Sequence, residues 1–322
     1  MATRRRTVAV VLATAGVVGL LATACGTVES DAAARQVSGS VVSDAAGRTA
    51  DVTSGRSVVT TTFEGFSGGL APADGSEVRV DGTFDVSTGR ATMSVDLTQV
   101  AEALGGGLGR FGAALLPGLF DEPSTAVVDG ETIYVRSPLV GLVGSPTPWV
   151  SAPVSGSEGE VAAGGFADPL ELDRLDRARG FVTYLEGVAD QVQQRGSEDI
   201  EGVTTTRYEG TIDLDRLVAQ LPAEEQARAR NGLAELTVGE IPFVVWIDGG
   251  GLVRRVQLRL DDVTLGSDAG GTGRGTVVVS ADLLDPNQPI TIDVPSAGEV
   301  TPVDSLRGGG LGDSSLLPRL GN

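Results

Sequence analysis

Two neighbouring stretches, residues 78–86 and 90–97, alternate between apolar and polar side chains, and this alternation constrains the fold most strongly. A period of two residues is that of a β-strand with one face buried and the other in water. Residues 87–89, Ser-Thr-Gly, form a turn between them, so the pattern predicts an antiparallel hairpin. The residues expected to point inward are Val78, Val80, Phe84 and Val86, then Ala91, Met93, Val95 and Leu97.

Further strand patterns make this hairpin part of a larger sheet. Asp129-Gly130 is a two-residue hairpin signal between two short β-rich runs. Residues 241–247 are apolar at both alternating sets of positions, which predicts a strand covered on both sides. Strands are predicted at 58–63, 78–86, 90–97, 126–128, 132–136, 241–247, 252–260, 276–283 and 289–294, with two more within 196–212.

Helical patterns are fewer. Asp168-Pro169 has the residues of a helix start and opens a predicted helix or helix pair that reaches about residue 194. Residues 213–236 predict a short helix and a charged surface helix, and 31–50 have room for another short helix. The chain is therefore expected to be α+β, with one antiparallel sheet, curved or sandwiched, and helices gathered on one face.

The N-terminus has the pattern of an export signal. Three arginines at positions 4–6 precede an uncharged, mostly apolar run of 15 residues, shorter than the roughly 20 needed to span a bilayer. Small residues then precede Cys25, the only cysteine, and resemble the lipobox of bacterial lipoproteins. Ala22 stands where the lipobox has a large aliphatic residue, so an ordinary signal peptide cut nearby is the alternative.

Composition limits the chemistry of the chain. It has no His and no Lys, and a net charge of -19 argues against binding nucleic acid or anionic surfaces through a general field. Without His the commonest general base and metal ligand are missing, and a lone Cys makes no disulfide framework. We expect neither a metal nor a cofactor, and a core formed by burial alone.

Three sequence patterns match functional motifs, but each is explained more simply by ordinary structure. Residues 65–69 fit G-x-S-x-G, but a nucleophile elbow needs a histidine base and the chain has none, so a Gly/Ser turn is favoured. The G-x-G-x-x-G at 107–112 follows no predicted strand, so it lacks the context of a dinucleotide-binding site. We interpret it as a flexible connection packed on the core or as an apolar lid. Acidic pairs such as Asp261-Asp262 are more simply solvated surface residues. The sequence therefore predicts that the protein is not an enzyme.

Several short segments, in order, resemble lipoproteins of the LppX and LprG type, whose fold is similar to that of the carrier LolA. The resemblance covers most of residues 50–300, and a Gly-rich insert at 98–120 and a loop at 150–165 depart from it. The segments that carry it are Asp129-Gly130 with Ile133-Tyr134-Val135, Trp149-Val150, Asp168-Pro169, Gly202-Val203 through Tyr208 to Gly210-Thr211-Ile212-Asp213, Val245-Trp246-Ile247-Asp248 with Leu252-Val253, and 289–295.

The resemblance implies a curved antiparallel half-barrel sheet with helices packed on its concave face, around an apolar cavity for acyl chains. The expected organisation is a signal peptide at 1–24, a lipidated N-terminus and tether at 25–54, one LolA-like lipid-binding domain at 55–303, and a disordered tail at 304–322. The candidate cavity residues are Val80, Phe84, Met93, Val95, Leu104, Leu108, Phe111, Leu115, Phe181, Leu185, Phe243, Val245 and Ile247.

The expected function is that of a membrane-anchored envelope lipoprotein outside the cytoplasm that binds a lipid or glycolipid and carries or sequesters it. Its expected partners are that lipid, the membrane through an acylated Cys25, and an envelope export protein. The alternative from another class is a tethered structural or interaction module with a fully packed core and no ligand.

Overall fold

The structure is a computed structural model that describes residues 34–67, 72–96, 98–99, 122–138, 140, 145–154, 185, 191–213, 218–219, 226, 240–267 and 271–306. The chain divides into a unit of residues 1–31 and a unit of residues 32–322, and all described residues belong to the second.

The described strands form one 13-stranded sheet with the order β1-β8-β9-β10-β11-β12-β2-β3-β4-β5-β6-β7-β13. Neighbouring strands are antiparallel, except for β7 and β13, which are parallel. The strands are β1 (Arg35–Ser38), β2 (Ser54–Ser67), β3 (Glu77–Asp85), β4 (Arg90–Val95), β5 (Ser124–Asp129), β6 (Thr132–Arg136), β7 (Trp149–Pro153), β8 (Gln191–Ile200), β9 (Val203–Asp213), β10 (Glu240–Asp248), β11 (Val253–Ser267), β12 (Gly271–Leu284) and β13 (Val300–Pro302).

The helices within the described residues are short. They include α1 (Ser40–Ala50) and α2 (Val303–Leu306), and a 3₁₀ turn spans Ala297–Glu299. The short helix expected within residues 31–50 is thereby confirmed.

Helix α1 packs on the sheet. Its buried side chains Val42, Ala45 and Ala46 pack against β8, β9, β10 and β11. Thr49, at its last turn, donates to the Ala45 carbonyl (2.7 Å) and accepts the N–H of Val253 on β11 (2.9 Å). This helix is therefore joined to the sheet by apolar packing and by a buried hydrogen bond.

The predicted hairpins are confirmed where the sequence had strong turn signals. The turn between β3 and β4 contains Gly89 at φ +67°, and that between β5 and β6 contains Gly130 at φ +59°. Glycine adopts this left-handed region without a steric cost, so it suits these positions. The pairs β8 with β9 and β10 with β11 also form as expected.

One face of the sheet is apolar over most of its width, because residues of like character pair in register across successive strands. We call this surface the apolar face. A row of directly paired residues crosses it from β9 to β5, and a second row runs from β3 to β7. The first row is Tyr208, Val245, Val256, Ala281, Val59, Val80, Val95 and Ser124, and the second is Gly82, Met93, Ala126, Val135 and Val150.

Several boundaries differ from the expectations. Residues 191–194, expected at the end of a helix, belong to β8 because they pair with β1. The strand expected at 289–294 pairs with no other described strand, and the chain joins the sheet again at β13 instead. Val86 is 46 % exposed because β3 ends at Asp85.

The folded unit also begins earlier than expected. The sequence predicts a tether at 25–54, whereas β1 and α1 lie in this range, with β1 paired with β8 and α1 packed on the sheet. Residues 304–306 of the expected tail belong to α2. The expected helices within 168–190, the Gly-rich insert and the remaining tail lie outside the described residues, apart from a few positions.

Candidate functional site

The predicted cavity residues divide into those that the structure describes and those that it does not. The described ones on strands lie on the apolar face, as their register shows. They are Val80, Phe84, Met93, Val95, Phe243, Val245 and Ile247, and Leu185 packs beside the last three. Leu104, Leu108, Phe111, Leu115, Phe181 and the lipidation candidate Cys25 lie outside the described residues.

Beneath α1 the apolar face is a closely packed core. Phe243 is 1 % exposed and Val245 is fully buried, and both belong to one cluster with Leu185 and Ile247. Gly210 lies opposite Phe243 so closely that an added Cβ would be 2.7 Å from the ring. This half of the predicted set therefore contacts other protein side chains tightly.

The middle of the apolar face, on β2, β3 and β4, is less deeply buried. Val80 and Val95 form its centre, and Val59, Val78 and Met93 are half-buried around them. On β12 the neighbouring residue Val279, paired with Thr61, is also half-buried. The structure thus separates the predicted residues into a packed group under α1 and a more accessible group in the middle of the sheet.

Phe84 belongs to neither group. It packs with Ala91 and with Val52, which follows α1, in a small separate cluster. The far end of the face, on β5, β6 and β7, is covered in part by Val303 and Leu306 of α2 and by Val140.

The opposite face of the sheet is mostly polar and contains a cluster around Trp246. The indole ring lies between Arg207 on β9 and Arg255 on β11, whose guanidinium carbons are 5.7 and 5.8 Å from the ring centroid. Stacking of this kind is favourable because the ring face is electron-rich. The indole is only 5 % exposed although it lies on the polar face.

Carboxylates neutralise these arginines. Asp282 accepts two bonds from Arg255 (2.5 and 2.6 Å), which raise the pKa of that guanidinium. Glu209 lies 2.8 Å from Arg207, and Glu198 accepts the indole N–H at 2.7 Å. The sequence does not predict this cluster, because Trp246 lies in the strand 241–247, whose pattern is apolar on both faces. The sequence feature that could have predicted the cluster is the pair of arginines on the strands that flank Trp246, Arg207 on β9 and Arg255 on β11.

The motif matches acquire structural explanations. Gly65, Phe66 and Ser67 end β2, with Phe66 buried, so Ser67 belongs to a strand rather than to the expected turn. Asp261 pairs with Arg259 (3.0 Å) and Asp262 with Arg274 (3.2 Å), all on the surface. Among the described residues no group of three or more Asp, Glu, His or Cys is placed to hold a metal ion.

The helices in the described part of the chain are too short or too polar to traverse a bilayer.

Comparison with solved structures identifies proteins of similar fold. LprF from Mycobacterium bovis is 17 % identical, with a TM-score of 0.43 over 80 % of this chain and 97 % of that one. The Mycobacterium tuberculosis lipoprotein LppX is 17 % identical, with a TM-score of 0.41 over 79 % and 97 %. The chain is similar to mycobacterial lipoproteins.

These two proteins are lipoproteins of the LppX and LprG type, which the sequence segments also resemble. An uncharacterized conserved protein from Thermus thermophilus is more distant, at 8 % identity and a TM-score of 0.29 over 81 % of this chain and 96 % of that one. No protein-family model and no curated protein matches the chain. At these identities and TM-scores the likeness is a distant one of fold.

Proposed function

We propose that this protein is an envelope lipoprotein, anchored outside the cytoplasmic membrane through Cys25, that binds a lipid or glycolipid and carries or sequesters it unchanged. The observation that supports it best is the apolar face, which is continuous across many strands and less deeply buried in its middle. Acyl chains placed there would gain about 25 cal/mol for each Å2 of apolar surface removed from water.

The half-buried residues in the middle of the face are the proposed contacts with acyl chains. Met93, Val59 and Val78 are accessible enough to touch a ligand with small side-chain movements. Phe243 and Val245 would support the site from the packed core rather than line it, because α1 already covers them. The remaining proposed contacts lie outside the described residues, and they are Leu104, Leu108, Phe111, Leu115 and Phe181.

The second candidate is a tethered interaction module without a ligand, and the packing under α1 favours it. A sheet face whose predicted cavity residues are 0 to 6 % exposed needs no lipid to fill it there. The two candidates differ in what the middle of the apolar face binds. The envelope export protein expected as a partner has no support among the described contacts.

Native mass spectrometry of the mature chain with Cys25→Ala, expressed in a lipid-producing host, tests the proposal, and solvent extraction then identifies any lipid. We expect stoichiometric lipid, because the substitution removes the anchor but leaves the apolar face intact. A protein free of lipid, and still free after incubation with diacyl lipids, would support the interaction module.

A matched pair of variants locates the ligand. Met93→Asp places a charge on the apolar face, and Thr92→Asp places the same charge on the polar face one residue earlier. We expect lipid to be lost from the first variant alone, because an ionised carboxylate against acyl chains is strongly unfavourable. Equal lipid content in two folded variants would exclude the middle of the apolar face.

Separately, labelled palmitate should enter the wild-type protein and not Cys25→Ser when both retain the leader. Label in both proteins would contradict the assignment of Cys25 as the anchor.

A further inference from the structure

The two tryptophans of the chain both lie on the polar face, but only one of them has a partner for its indole N–H. Trp246 is 5 % exposed, and its N–H donates to Glu198. Trp149, which begins β7, is half-buried, and in the part of the chain that the structure describes its N–H has no partner. This N–H is not buried either, so it can donate to a molecule from outside.

Tyr134 and Arg136 on β6 lie on the same face as Trp149, because they alternate with Val135 of the apolar face. Tyr134 is half-buried, and its hydroxyl is accessible and without a partner among the described residues. The Arg136 side chain is 52 % exposed and donates to Glu122 at 3.1 Å. We call Tyr134, Arg136 and Trp149 the aromatic patch.

Hydroxyl side chains adjoin the aromatic patch. Ser151 pairs directly with Tyr134, and Thr125 pairs directly with Arg136. Both are half-buried, and neither hydroxyl has a hydrogen-bond partner within the described ranges. A hydroxyl donates one hydrogen bond and accepts two. The patch therefore combines two aromatic rings with both donors and acceptors.

The aromatic patch has no net charge. Arg136 is paired with Glu122, and the nearby Arg90 on β4 is paired with Asp129 on β5 at 2.8 Å. The whole chain carries a net charge of -19, so its field repels an anionic ligand. An uncharged ligand therefore suits the patch best.

The surroundings of the patch differ from those of a protein interface. The centre of such an interface is apolar and depleted of charged residues. Of the described large apolar residues, only Val86 is strongly exposed, at 46 %, and it lies just after β3. Rings bordered by hydroxyls rather than by exposed apolar side chains favour a ligand that is itself covered with hydroxyls.

We propose that the aromatic patch binds a neutral polysaccharide, with one sugar ring on Trp149 and a second on Tyr134. The C–H face of a sugar is apolar and fits an aromatic ring, while the sugar hydroxyls bond to the polar tips of the two side chains and to Arg136. Diagonal neighbours on paired strands lie about 7–8 Å apart, which two adjoining sugars can span. This site is on the side of the sheet opposite the apolar face, so it is separate from the proposed lipid site.

The indole N–H signals in a proton–nitrogen correlation spectrum test the proposal, because the chain has two tryptophans and Trp149→Phe assigns them. Cellohexaose, maltohexaose and chitohexaose are each added to the delipidated mature chain with Cys25→Ala, and heparin hexasaccharide is the anionic comparison. We expect at least one neutral glycan to shift the Trp149 signal in a saturable way. The Trp246 signal should stay unchanged, because its N–H is bonded to Glu198.

Calorimetric titration with the glycan that binds then tests the side chains. We expect Trp149→Leu to bind about tenfold more weakly, because the stacked ring is lost. Arg136→Gln should bind about fivefold more weakly through the loss of a hydrogen bond, and it remains informative if Trp149→Leu does not fold. Arg56→Gln is the matched control and should bind like the wild type, since Arg56 forms a similarly exposed ion pair with Asp285 (2.7 Å) away from the patch.

The outcomes separate this site from the lipid site, because the glycans carry no acyl chain. If no neutral glycan shifts the Trp149 signal, or if the Trp246 signal moves equally, the proposal is wrong. Tighter binding of the heparin hexasaccharide would overturn the neutral ligand. A Trp149 signal that responds to another envelope protein and to no glycan would make the patch a protein interface instead.

Discussion

The indole nitrogen of Trp246 on β10 donates a 2.7 Å hydrogen bond to the carboxylate of Glu198 on β8, across the intervening strand β9. The bond satisfies a donor that is almost fully removed from water. It also places a negative charge next to the two arginines that stack on the ring. Trp246 thereby joins β10 to β8, β9 and β11 on the polar face.

Replacing Glu198 with Ala should lower the free energy of unfolding by about 1–3 kcal/mol, because a buried N–H loses its partner. Glu64→Ala is the control, since Glu64 forms an exposed pair with Arg259 (3.0 Å), and exposed pairs contribute about 0–1 kcal/mol. Urea titrations followed by circular dichroism measure both. Equal small losses would mean that the Trp246 bond is not important for stability.

Gly210→Ala should destabilise the protein by about 1–3 kcal/mol, because its new methyl group would overlap the ring of Phe243. Gly47→Ala is a control of opposite sign, since Gly47 lies within α1 with open space around it. Removing a helical glycine should stabilise the fold by about 0.5–1 kcal/mol. Thermal unfolding should therefore move in opposite directions, and a shift in the same direction would contradict the packing described.

Thr49→Val should cost about 1–3 kcal/mol although the two side chains have nearly the same shape. The hydroxyl accepts the N–H of Val253, so its loss leaves a buried backbone donor without a partner. Thr88→Val, in the exposed turn after β3, should change stability little. Hydrogen exchange should also accelerate at the Val253 amide in the first variant, and unchanged exchange there would exclude this contact between α1 and the sheet.

Stability should fall in acid partly through Asp248. Burial alone would raise the pKa of this carboxyl, but hydrogen bonds from the Leu252 N–H and from Arg254 outweigh burial and hold the pKa below its usual value. A depressed pKa in the folded state gives stability that is present above the unfolded value, about 3.9, and is lost as the pH falls through the folded value.

The measurement is the free energy of unfolding between about pH 6 and about pH 3, for the wild type and for Asp248→Asn. We expect the wild type to lose more stability on acidification than this variant, which keeps an acceptor oxygen but has no charge to titrate. Asp44→Asn, at an exposed site on α1, should follow the wild type. Parallel curves for wild type and Asp248→Asn would show that Asp248 has no part in the acid response.

Local patterns predicted the hairpins and the inward side of their strands. Val80, Met93 and Val95 lie on the apolar face as their alternation required, because a strand turns successive side chains to opposite faces whatever its neighbours are. Gly89 and Gly130 marked turns for an equally local reason, their positive φ angles.

The errors arose where distant segments meet. Residues 191–194 have no strong preference that distinguishes a strand from a helix, and pairing with β1, more than 150 residues earlier, makes them a strand. The sequence also could not separate the predicted cavity residues into packed and accessible groups, since α1 covers Phe243 and Val245 only through tertiary contacts.

By itself, the sequence predicted the large antiparallel sheet and an export signal that ends at Cys25, and it determined the lack of histidine chemistry, because each depends on composition or on a period of a few residues. Only the tertiary structure decided the strand order, the joining of β1 and α1 to the sheet, the Trp246 cluster and the accessible part of the apolar face. These features depend on contacts between residues far apart in the chain, and no local period in the sequence encodes such contacts.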